Sequence, residues 1–442
     1  MTETTAVPQT TAGATATEAG AAPQDVTAAA HAIADRARAA SRRLARANRA
    51  WKDRALLEIA ESLVAKRDVV IAANRQDVEA GRRNGTSAAL LDRLGLDAGR
   101  IDGLAAALRN LASLPDPVGK VERGQTLPNG LRLRQVHVPM GVVAAIYEAR
   151  PNVTVDIAGL ALKSGNAVIL RGGSAAAGTN AALIGIIRDA LDRVGLPADA
   201  VQTVDEYGRE GAGVLMQARG RVDVLIPRGG RDLIQTVVNN AKVPVIETGE
   251  GNVHIFLVKS AGEEMAVDIL PNAKTQRPSV CNTVETLLVH SEAQAAPAVL
   301  AALAAAGVRL HVDGRVAALL PEGAGGEPAT DEDWGREYMD LDLAVGMVDS
   351  IDEAVTHIHR WTTGHTEAII TNDLANAEKF IAEIDSAAVV VNASTRFTDG
   401  GELGLGAEVG ISTQKMHARG PMGLQELTTT KWIVQGDGQI RS

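Results

Sequence analysis

Residues 141–171, GVVAAIYEARPNVTVDIAGLALKSGNAVILR, hold two short apolar runs on either side of a helical segment. Val142–Ile146 and Ala167–Leu170 are almost entirely apolar, which is typical of strands that are buried on both faces. Val155–Lys163 lies between them and has the apolar spacing of a helix. A strand, a helix and a strand in this order predict a βαβ unit, and therefore a parallel sheet covered by helices.

The same alternation continues toward the carboxyl end of the chain. The next predicted elements are the strands Val222–Ile226, Val243–Glu247 and Val253–Val258 and the helices Asn180–Val194 and Asp232–Asn239. A second series starts after Cys281, with predicted strands at Thr286–His290, Val308–Val312, Ala368–Thr371 and Ala387–Asn392 and predicted helices at Gln294–Ala306, Ile351–His359 and Leu374–Ile384. We expect an α/β fold with two parallel-sheet domains, and a surface loop at residues 317–335.

The amino-terminal part of the chain is predicted to differ. Residues 1–24 contain nothing large to bury and neither the basic nor the apolar region of a signal peptide, so they predict a disordered tail. Val26–Ala47 and Ala50–Ala65 predict helices. Leu131–Val138 alternates strictly, and the Asn129-Gly130 turn before it predicts an exposed β-hairpin.

Composition excludes several classes of function. The 442 residues carry a net charge of −10 and only 2% aromatics, which argues against nucleic-acid binding. No apolar run approaches the roughly 20 residues that cross a membrane, so no membrane partner is expected. The single cysteine excludes an internal disulfide framework and fits a reducing compartment. We therefore expect a cytoplasmic protein.

That cysteine, Cys281, lies in the polar segment NAKTQRPSVCNT, residues 272–283. A thiolate is a strong nucleophile, and positive charge lowers the pKa of its thiol. Lys274 and Arg277 lie close upstream, while Pro278 and Ser279 should end any helix there. The alternative is a buried cysteine that packs as a small apolar side chain. The polar, proline-containing surroundings favour the nucleophile.

Glycine-rich segments offer candidate phosphate sites. Arg171-Gly172-Gly173-Ser174 and Pro227-Arg228-Gly229-Gly230-Arg231 each follow a buried strand, where ligands bind in open α/β sheets. Either could also be an ordinary turn. The GLGAEVG segment at residues 404–410 follows a polar segment instead of a strand, so we do not interpret it as a dinucleotide fingerprint.

Three histidines come close together in the sequence, His357, His359 and His365. His357 and His359 would lie on different faces of a helix, and no set of acidic ligands accompanies them. No metal site is predicted.

Three long segments resemble the γ-glutamyl phosphate reductase family of the aldehyde dehydrogenase superfamily. They are residues 138–154, residues 276–285 (QRPSVCNTVE) and residues 391–423, and the resemblance extends over residues 26–434. It implies NADPH-dependent reduction of L-glutamyl 5-phosphate to L-glutamate 5-semialdehyde, with release of phosphate, through a cysteine thioester. This reaction is the second step of proline biosynthesis from glutamate.

The resemblance also implies a division of the chain into domains. Residues 25–128 and 141–270 would bind NADP, residues 271–393 would form the catalytic thiol domain, and residues 129–140 with 394–442 would form a small β oligomerisation element. The implied fold is aldehyde dehydrogenase-like.

Site residues follow from the same resemblance. Cys281 aligns with the nucleophile, Asn152 with the oxyanion-hole amide, and Glu247 with the base that activates water in hydrolytic relatives. Because reduction consumes no water, we expect Glu247 to be structural or to relay a proton. Ser394 and Arg396 are the candidates for holding the substrate carboxylate.

The implied cofactor residues lie at the strand ends described above: Arg171, Gly172, Ser174, Gly229, Gly230 and Glu337. Ser174 replaces the acidic residue of many NAD-preferring relatives, and Arg171 adds a cation, so NADP is the expected cofactor. Glu337 would hold the nicotinamide ribose.

Two alternatives remain from the sequence alone. One is a hydrolytic NAD(P)-dependent aldehyde dehydrogenase, and the other is a non-catalytic oligomeric binding protein with a structural cysteine. The exposed strand at residues 131–138 predicts a homo-oligomer. Association with the glutamate 5-kinase that makes the labile acyl phosphate is a further expectation.

Overall fold

The computed structural model describes residues 25–148 and 150–441. The tail predicted for residues 1–24 lies outside these ranges. The helices are α1 Val26–Leu44, α2 Arg49–Ala65, α3 Arg67–Arg83, α4 Ala88–Leu94, α5 Ala98–Ser113, α6 Pro151–Lys163, α7 Ala177–Arg193, α8 Gly208–Gln217, α9 Arg231–Asn240, α10 Glu263–Thr275, α11 Ala296–Ala305, α12 Asp331–Trp334, α13 Ile351–Trp361 and α14 Leu374–Glu383. None of these described helices has the length and apolar character that crossing a membrane requires.

The strands form four sheets in the described ranges. They are β1 Val121–Thr126, β2 Arg132–Pro139, β3 Val142–Tyr147, β4 Ala167–Arg171, β5 Val201–Thr203, β6 Val224–Arg228, β7 Val253–Leu257, β8 Val284–His290, β9 Arg309–Val312, β10 Gly326–Pro328, β11 Asp342–Val348, β12 Thr366–Ile370, β13 Ala388–Val391, β14 Gly410–Ser412, β15 Gly420–Met422 and β16 Thr428–Gln435.

The first parallel sheet contains the βαβ unit with which the sequence analysis began. Its strand order is β5-β4-β3-β6, and β3 is buried along its whole length. Val143 and Ala145 pack on one side with α2, α5, α6 and α7, whereas Val142 and Ala144 pack on the other side with α1 and α8. An apolar run without alternation is therefore what this strand requires, since both faces are covered. The parallel-sheet prediction is confirmed.

The second parallel sheet has seven strands in the order β10-β9-β11-β8-β7-β12-β13. Its centre is apolar, with β7 and β8 buried along their whole length. Strand β7 was expected in the cofactor domain, whose boundary we placed at residue 270, yet it pairs with β8 and β12. The chain passes from the first parallel sheet to the second between β6 and β7, so that boundary is wrong.

The predicted hairpin is also present. Strands β1 and β2 pair antiparallel, and the connection contains Gly130 at φ +87°. Strand β16, from the far end of the chain, pairs with β2 from Thr428 to Gln435. Strands β2 and β16 therefore meet in one small antiparallel sheet, whose third strand, β1, lies in the segment that we assigned to the cofactor domain.

Some predicted elements differ from the structure. Val243–Glu247 forms no regular strand and makes only one bridge, from Val245 to Leu225, because Pro244 has no N–H to donate. Strand β11 was not predicted, since Gly346 interrupts its apolar run. Helix α10 was not predicted either, and it contains Pro271. Residues 317–335 include β10 and α12, so they are only partly loop.

Candidate active site

Cys281 lies in a turn between α10 and β8, where Pro278 prevents the helix from continuing. The next residue ties this turn to the segment after β13. The Asn282 amide donates to the Thr398 carbonyl at 2.9 Å, and the Thr395 hydroxyl donates to the Asn282 carbonyl at 2.7 Å. The cysteine is thus held by contacts with a distant part of the chain.

Gly251 lies directly against the backbone of Cys281. A Cβ at position 251 would overlap the Cys281 carbonyl group. The Gly251 N–H donates to the Glu337 carboxylate at 3.0 Å, which brings that carboxylate to the same place. Gly251 therefore sets the position of the cysteine loop.

The surroundings of Cys281 favour the neutral thiol. Burial raises the pKa of Cys281 to about 12, the Arg228 guanidinium lowers it, and the carboxylates of Glu337 and Glu408 raise it. Without a bound ligand, the side chain is protonated at neutral pH.

Lys274, which we expected beside the sulfur, is elsewhere. Its side chain is fully buried, and its Nζ lies 2.6 Å from Glu285 Oε2 in an ion pair. Burial lowers the pKa of Lys274, and the adjacent Glu285 charge opposes that shift. The expectation that Lys274 supplies positive charge to the thiol is therefore wrong.

Arginines supply that charge instead. Arg228 is the last residue of β6, and Arg150 comes three residues after the end of β3. The two strands are neighbours, with Tyr147 opposite Arg228. Burial lowers the pKa of Arg150, and the nearby positive charges of Arg93 and Arg228 lower it further, whereas a thiolate at Cys281 would raise it. Arg93, from α4, also donates to the Ser279 carbonyl at 3.2 Å. Sequence reasoning missed Arg150 and Arg93, although the position of Arg150 just after a buried strand was a usable signal.

Asn152 lies at the start of α6, on the same side as Arg150 and Arg228. Its Nδ2 donates to Asp156 Oδ2 at 3.1 Å, one helical turn later. Burial raises the pKa of Asp156 to about 6, while the Asn152 hydrogen bond and the Arg228 charge lower it. An ionised Asp156 accepts from the amide and so fixes which end of the Asn152 side chain is the donor.

Glu247 is engaged away from the sulfur. Its carboxylate accepts from Gln235 Nε2 at 3.3 Å and from Gln414 Nε2 at 3.4 Å. Its own N–H donates to the Gln414 side chain at 3.1 Å. The carboxylates whose charges act most on the Cys281 thiol are instead Glu337 and Glu408.

The candidate cofactor residues at the end of β4 are close together. Arg171 Nε donates to the Gly208 carbonyl at 3.3 Å, and the Gly172 N–H donates to Asp205 at 2.7 Å. A Cβ at Gly172 would overlap the Asn180 side chain. Ser174 begins a short 3-10 turn and is exposed. This edge therefore offers a cation and an exposed hydroxyl to a ligand.

Gly229 and Gly230 lead into α9. The Gly230 N–H donates to the Glu148 carboxylate at 3.0 Å, and a Cβ at Gly229 would lie 2.7 Å from Leu233 and 2.8 Å from the same carboxylate. The Glu148 carboxylate therefore already accepts a hydrogen bond at the amino end of α9. A bound pyrophosphate would have to displace the Glu148 side chain.

The two candidates for the substrate carboxylate differ. The buried Ser394 hydroxyl accepts from the Arg396 N–H at 3.3 Å and caps the short turn that follows it. The Arg396 Nε donates to Gln276 at 2.8 Å. Burial lowers the pKa of Arg396, and the charge of Asp399 and a thiolate at Cys281 would raise it. Arg396 is therefore next to the cysteine loop, whereas Ser394 is used locally.

Comparison with known proteins shows the family of the chain. The sequence model of the aldehyde dehydrogenase family matches residues 2–318. The chain is 62% identical to the γ-glutamyl phosphate reductase of Clavibacter michiganensis subsp. michiganensis, over 91% of this chain and 93% of that one. It is 60% identical to the γ-glutamyl phosphate reductase of Kineococcus radiotolerans, over 91% and 94% of the two chains.

Solved structures give the same result. The γ-glutamyl phosphate reductase of Thermotoga maritima superposes with a TM-score of 0.90 at 44% identity, over 93% of this chain and all of that one. An acetylating aldehyde dehydrogenase of Geobacillus thermoglucosidasius has a TM-score of 0.69 at 17% identity, which shows the shared fold alone. The chain therefore belongs to the aldehyde dehydrogenase family and, within it, to the γ-glutamyl phosphate reductases.

Proposed function

We propose that this chain reduces L-glutamyl 5-phosphate to L-glutamate 5-semialdehyde with NADPH and releases phosphate, as the second step of proline biosynthesis from glutamate. The observation that carries this proposal is the identity of 55–62% to five γ-glutamyl phosphate reductases over about nine-tenths of the chain. Arg150 and Arg228, which make no ion pair among the described residues, support it, because their charges act at the Cys281 site and the substrate is an anion.

Cys281 would be the nucleophile. Its thiolate attacks the acyl carbon of the substrate, a C–S bond forms, and the bond to the phosphate oxygen breaks. Phosphate is a good leaving group, and the resulting thioester accepts a hydride more readily than a carboxylate does. Because burial raises the pKa of the free thiol to about 12, binding of the other reactants has to favour its deprotonation.

Asn152 would stabilise the oxyanion that forms when the acyl carbon becomes tetrahedral. One amide hydrogen is held by Asp156, which leaves the other free to donate. One such preorganised donor is typically worth about 3 kcal/mol of transition-state stabilisation. Asp156 acts through Asn152 and is a positioning residue.

The aldehyde dehydrogenase family uses a nicotinamide cofactor, which supplies the hydride when it is bound. The residues that would hold it are Arg171, Gly172, Ser174, the Gly229-Gly230 turn and Glu337. Ser174 is exposed and uncharged, and Arg171 lies three residues before it. A carboxylate at position 174 would repel the 2′-phosphate of NADP, whereas serine does not, and Arg171 can attract it. We therefore propose NADPH as the preferred form, and a Ser174→Asp variant should shift preference toward NADH.

Glu247 would be structural, because two glutamine side chains already hold its carboxylate. Arg396 would bind the α-carboxylate of the substrate, with Ser394 keeping the Arg396 backbone in place.

The antiparallel sheet formed by β1, β2 and β16 would mediate self-association, and its edge strand carries Trp432, which is half exposed. Association with the kinase is also part of this proposal.

The test is the reverse reaction, in which NADP is reduced by glutamate 5-semialdehyde with and without phosphate. We expect NADPH formation that requires phosphate and is lost in Cys281→Ser. Turnover without phosphate would identify a hydrolytic aldehyde dehydrogenase and would overturn the proposal.

A further inference from the structure

Two guanidiniums beside Cys281 have no partner in the described part of the chain. Arg228 forms the last residue of β6, and Arg150 immediately precedes α6. Neither side chain makes a hydrogen bond or a salt bridge within residues 25–148 and 150–441. Arg150 is half-buried, which lowers its pKa, and the like charges of Arg93 and Arg228 lie close enough to lower it further. Partly buried like charges that make no direct ion pair are unfavourable, so this arrangement favours the binding of an anion.

The nearby carboxylates do not neutralise this pair by direct contact. The Arg228 charge acts on Asp156 and Glu408, but Asp156 accepts from Asn152 and Glu408 accepts from the Gly400 N–H at 2.8 Å. Neither carboxylate makes a hydrogen bond or an ion pair with Arg228 in the described ranges. Within those ranges the guanidinium donors of Arg150 and Arg228 are therefore available to a ligand.

The position of the pair selects one end of the substrate. When sulfur attacks, the phosphate is attached directly to the acyl carbon, whereas the α-carboxylate lies several carbons away. Among the cations, Arg228 has the largest effect on the Cys281 thiol. Guanidinium groups also match the oxygens of phosphate in pairs of hydrogen bonds.

We propose that Arg150 and Arg228 form the phosphate subsite, which holds the leaving group during thioester formation and inorganic phosphate during the reverse reaction. This inference rests on the proposed function. In the reverse direction a phosphate oxygen attacks the thioester carbon, the C–O bond forms, the C–S bond breaks, and sulfur leaves as thiolate. Positioned phosphate then outcompetes water for the same carbon.

The first readout is steady-state kinetics of the reverse reaction with the variants Arg228→Gln and Arg150→Gln. We expect the KM for phosphate to rise by about tenfold or more, as for loss of a charge-assisted hydrogen bond, with little change in the KM for the semialdehyde. Arg228→Lys should recover part of the phosphate affinity, because it keeps the charge but loses the paired donors. Arg396→Gln should raise the KM for the semialdehyde and leave the KM for phosphate unchanged. Arg83, which is exposed, is the control, and Arg83→Gln should change neither KM.

The second readout does not depend on turnover. Inorganic phosphate should slow alkylation of Cys281 by iodoacetamide in the wild-type protein, and this protection should be lost in Arg228→Gln. Circular dichroism identifies a variant that fails to fold. In that case the phosphate KM of Arg228→Lys and the protection of the wild-type protein by phosphate decide whether the two arginines form the phosphate subsite.

The outcomes separate the two proposals. If wild-type NADPH formation needs no phosphate, the proposed function fails. If it needs phosphate but the variants keep the wild-type phosphate KM and protection, the proposed function stands and the assignment of Arg150 and Arg228 is wrong.

Discussion

Gly251 and Cys281 are in backbone contact, and the space between them does not admit a Cβ on Gly251. The Gly251 N–H is bound to Glu337, so the glycine cannot move away without breaking a hydrogen bond at the same site. The contact joins the segment that precedes β7 to the turn that precedes β8. Cys281, the proposed nucleophile, is therefore positioned by a residue 30 positions away in the sequence.

Replacement of Gly251 by alanine should displace the cysteine loop. A displacement of about 1 Å of a reacting group can lower turnover by about 100-fold, so we expect a loss of at least that order. Steady-state kinetics and Cys281 alkylation rates measure the effect. Gly185→Ala is the matched control, since a Cβ there meets nothing within 4 Å and the residue lies in α7. Wild-type turnover in Gly251→Ala would show that the contact is not needed.

The elements around the first sheet could be predicted because their physical signals are local. Strand β3 is apolar without alternation, and α6 begins with Pro151 at a position where its missing N–H is harmless. Strand β11 was not predicted because Gly346 interrupts its apolar run. The segment is nevertheless a strand because it pairs with β8 on one side and β9 on the other. Such pairing is tertiary and leaves no local signal.

The active site was predictable only where the family motif fixes a residue. The roles of Cys281 and Asn152 come from the resemblance and stay predictions. Proximity in sequence misled us at Lys274, because α10 is a helix whose buried face carries that residue toward Glu285. Arg93 reaches the loop from 188 positions before Cys281, and only folding brings the two together.

Replacement of Asn152 by alanine should lower turnover and leave substrate affinity almost unchanged. In its proposed role the amide would stabilise charge that develops only in the transition state, so we expect a fall in kcat of about 100-fold to 1,000-fold. Exposed Asn84→Ala is the control for loss of an asparagine at a helix end. A rise in KM at constant kcat would place Asn152 in ground-state binding instead.

Asp156 predicts a pH dependence. Burial raises its pKa to about 6, so the carboxylate that orients Asn152 is lost as the pH falls below that value. We expect kcat to decline toward pH 5 and Asp156→Asn to lack this limb, with low turnover throughout. Persistence of the limb in Asp156→Asn would assign it to another group.

The same group affects stability with the opposite sign. Because the pKa of Asp156 in the folded chain exceeds the unfolded value of about 3.9, the folded state binds the proton more tightly. Its contribution to stability is greatest below pH 4 and falls as the pH rises to about 6. Urea denaturation of Asp156→Asn should lack this component.

Glu247→Gln should retain most of the reductive turnover. The carboxylate is held by Gln235 and Gln414, and an amide can replace part of that hydrogen bonding. Loss of a general base would instead lower turnover by about 100-fold or more. Rates of NADPH oxidation with the acyl phosphate distinguish these outcomes, and a fall of that size would restore Glu247 to catalysis.

Lys274→Met should destabilise the fold without altering the reactivity of the thiol. Removal of the lysine leaves the Glu285 carboxylate buried without its partner, since both side chains of the pair are fully inaccessible. Breaking a buried ion pair in this way typically lowers the free energy of unfolding by about 3–5 kcal/mol. Urea denaturation measures the loss, and the alkylation rate of Cys281 should stay at the wild-type value.

Lys66→Met is the control, because its ion pair with Asp189 at 2.9 Å is exposed. Such a pair contributes at most about 1 kcal/mol, so this variant should unfold almost like the wild type. The double variant Lys274→Met/Glu285→Gln should recover part of the stability, since the buried charge is then absent. A Lys274→Met protein of wild-type stability with slower Cys281 alkylation would instead mean that Lys274 acts on the thiol.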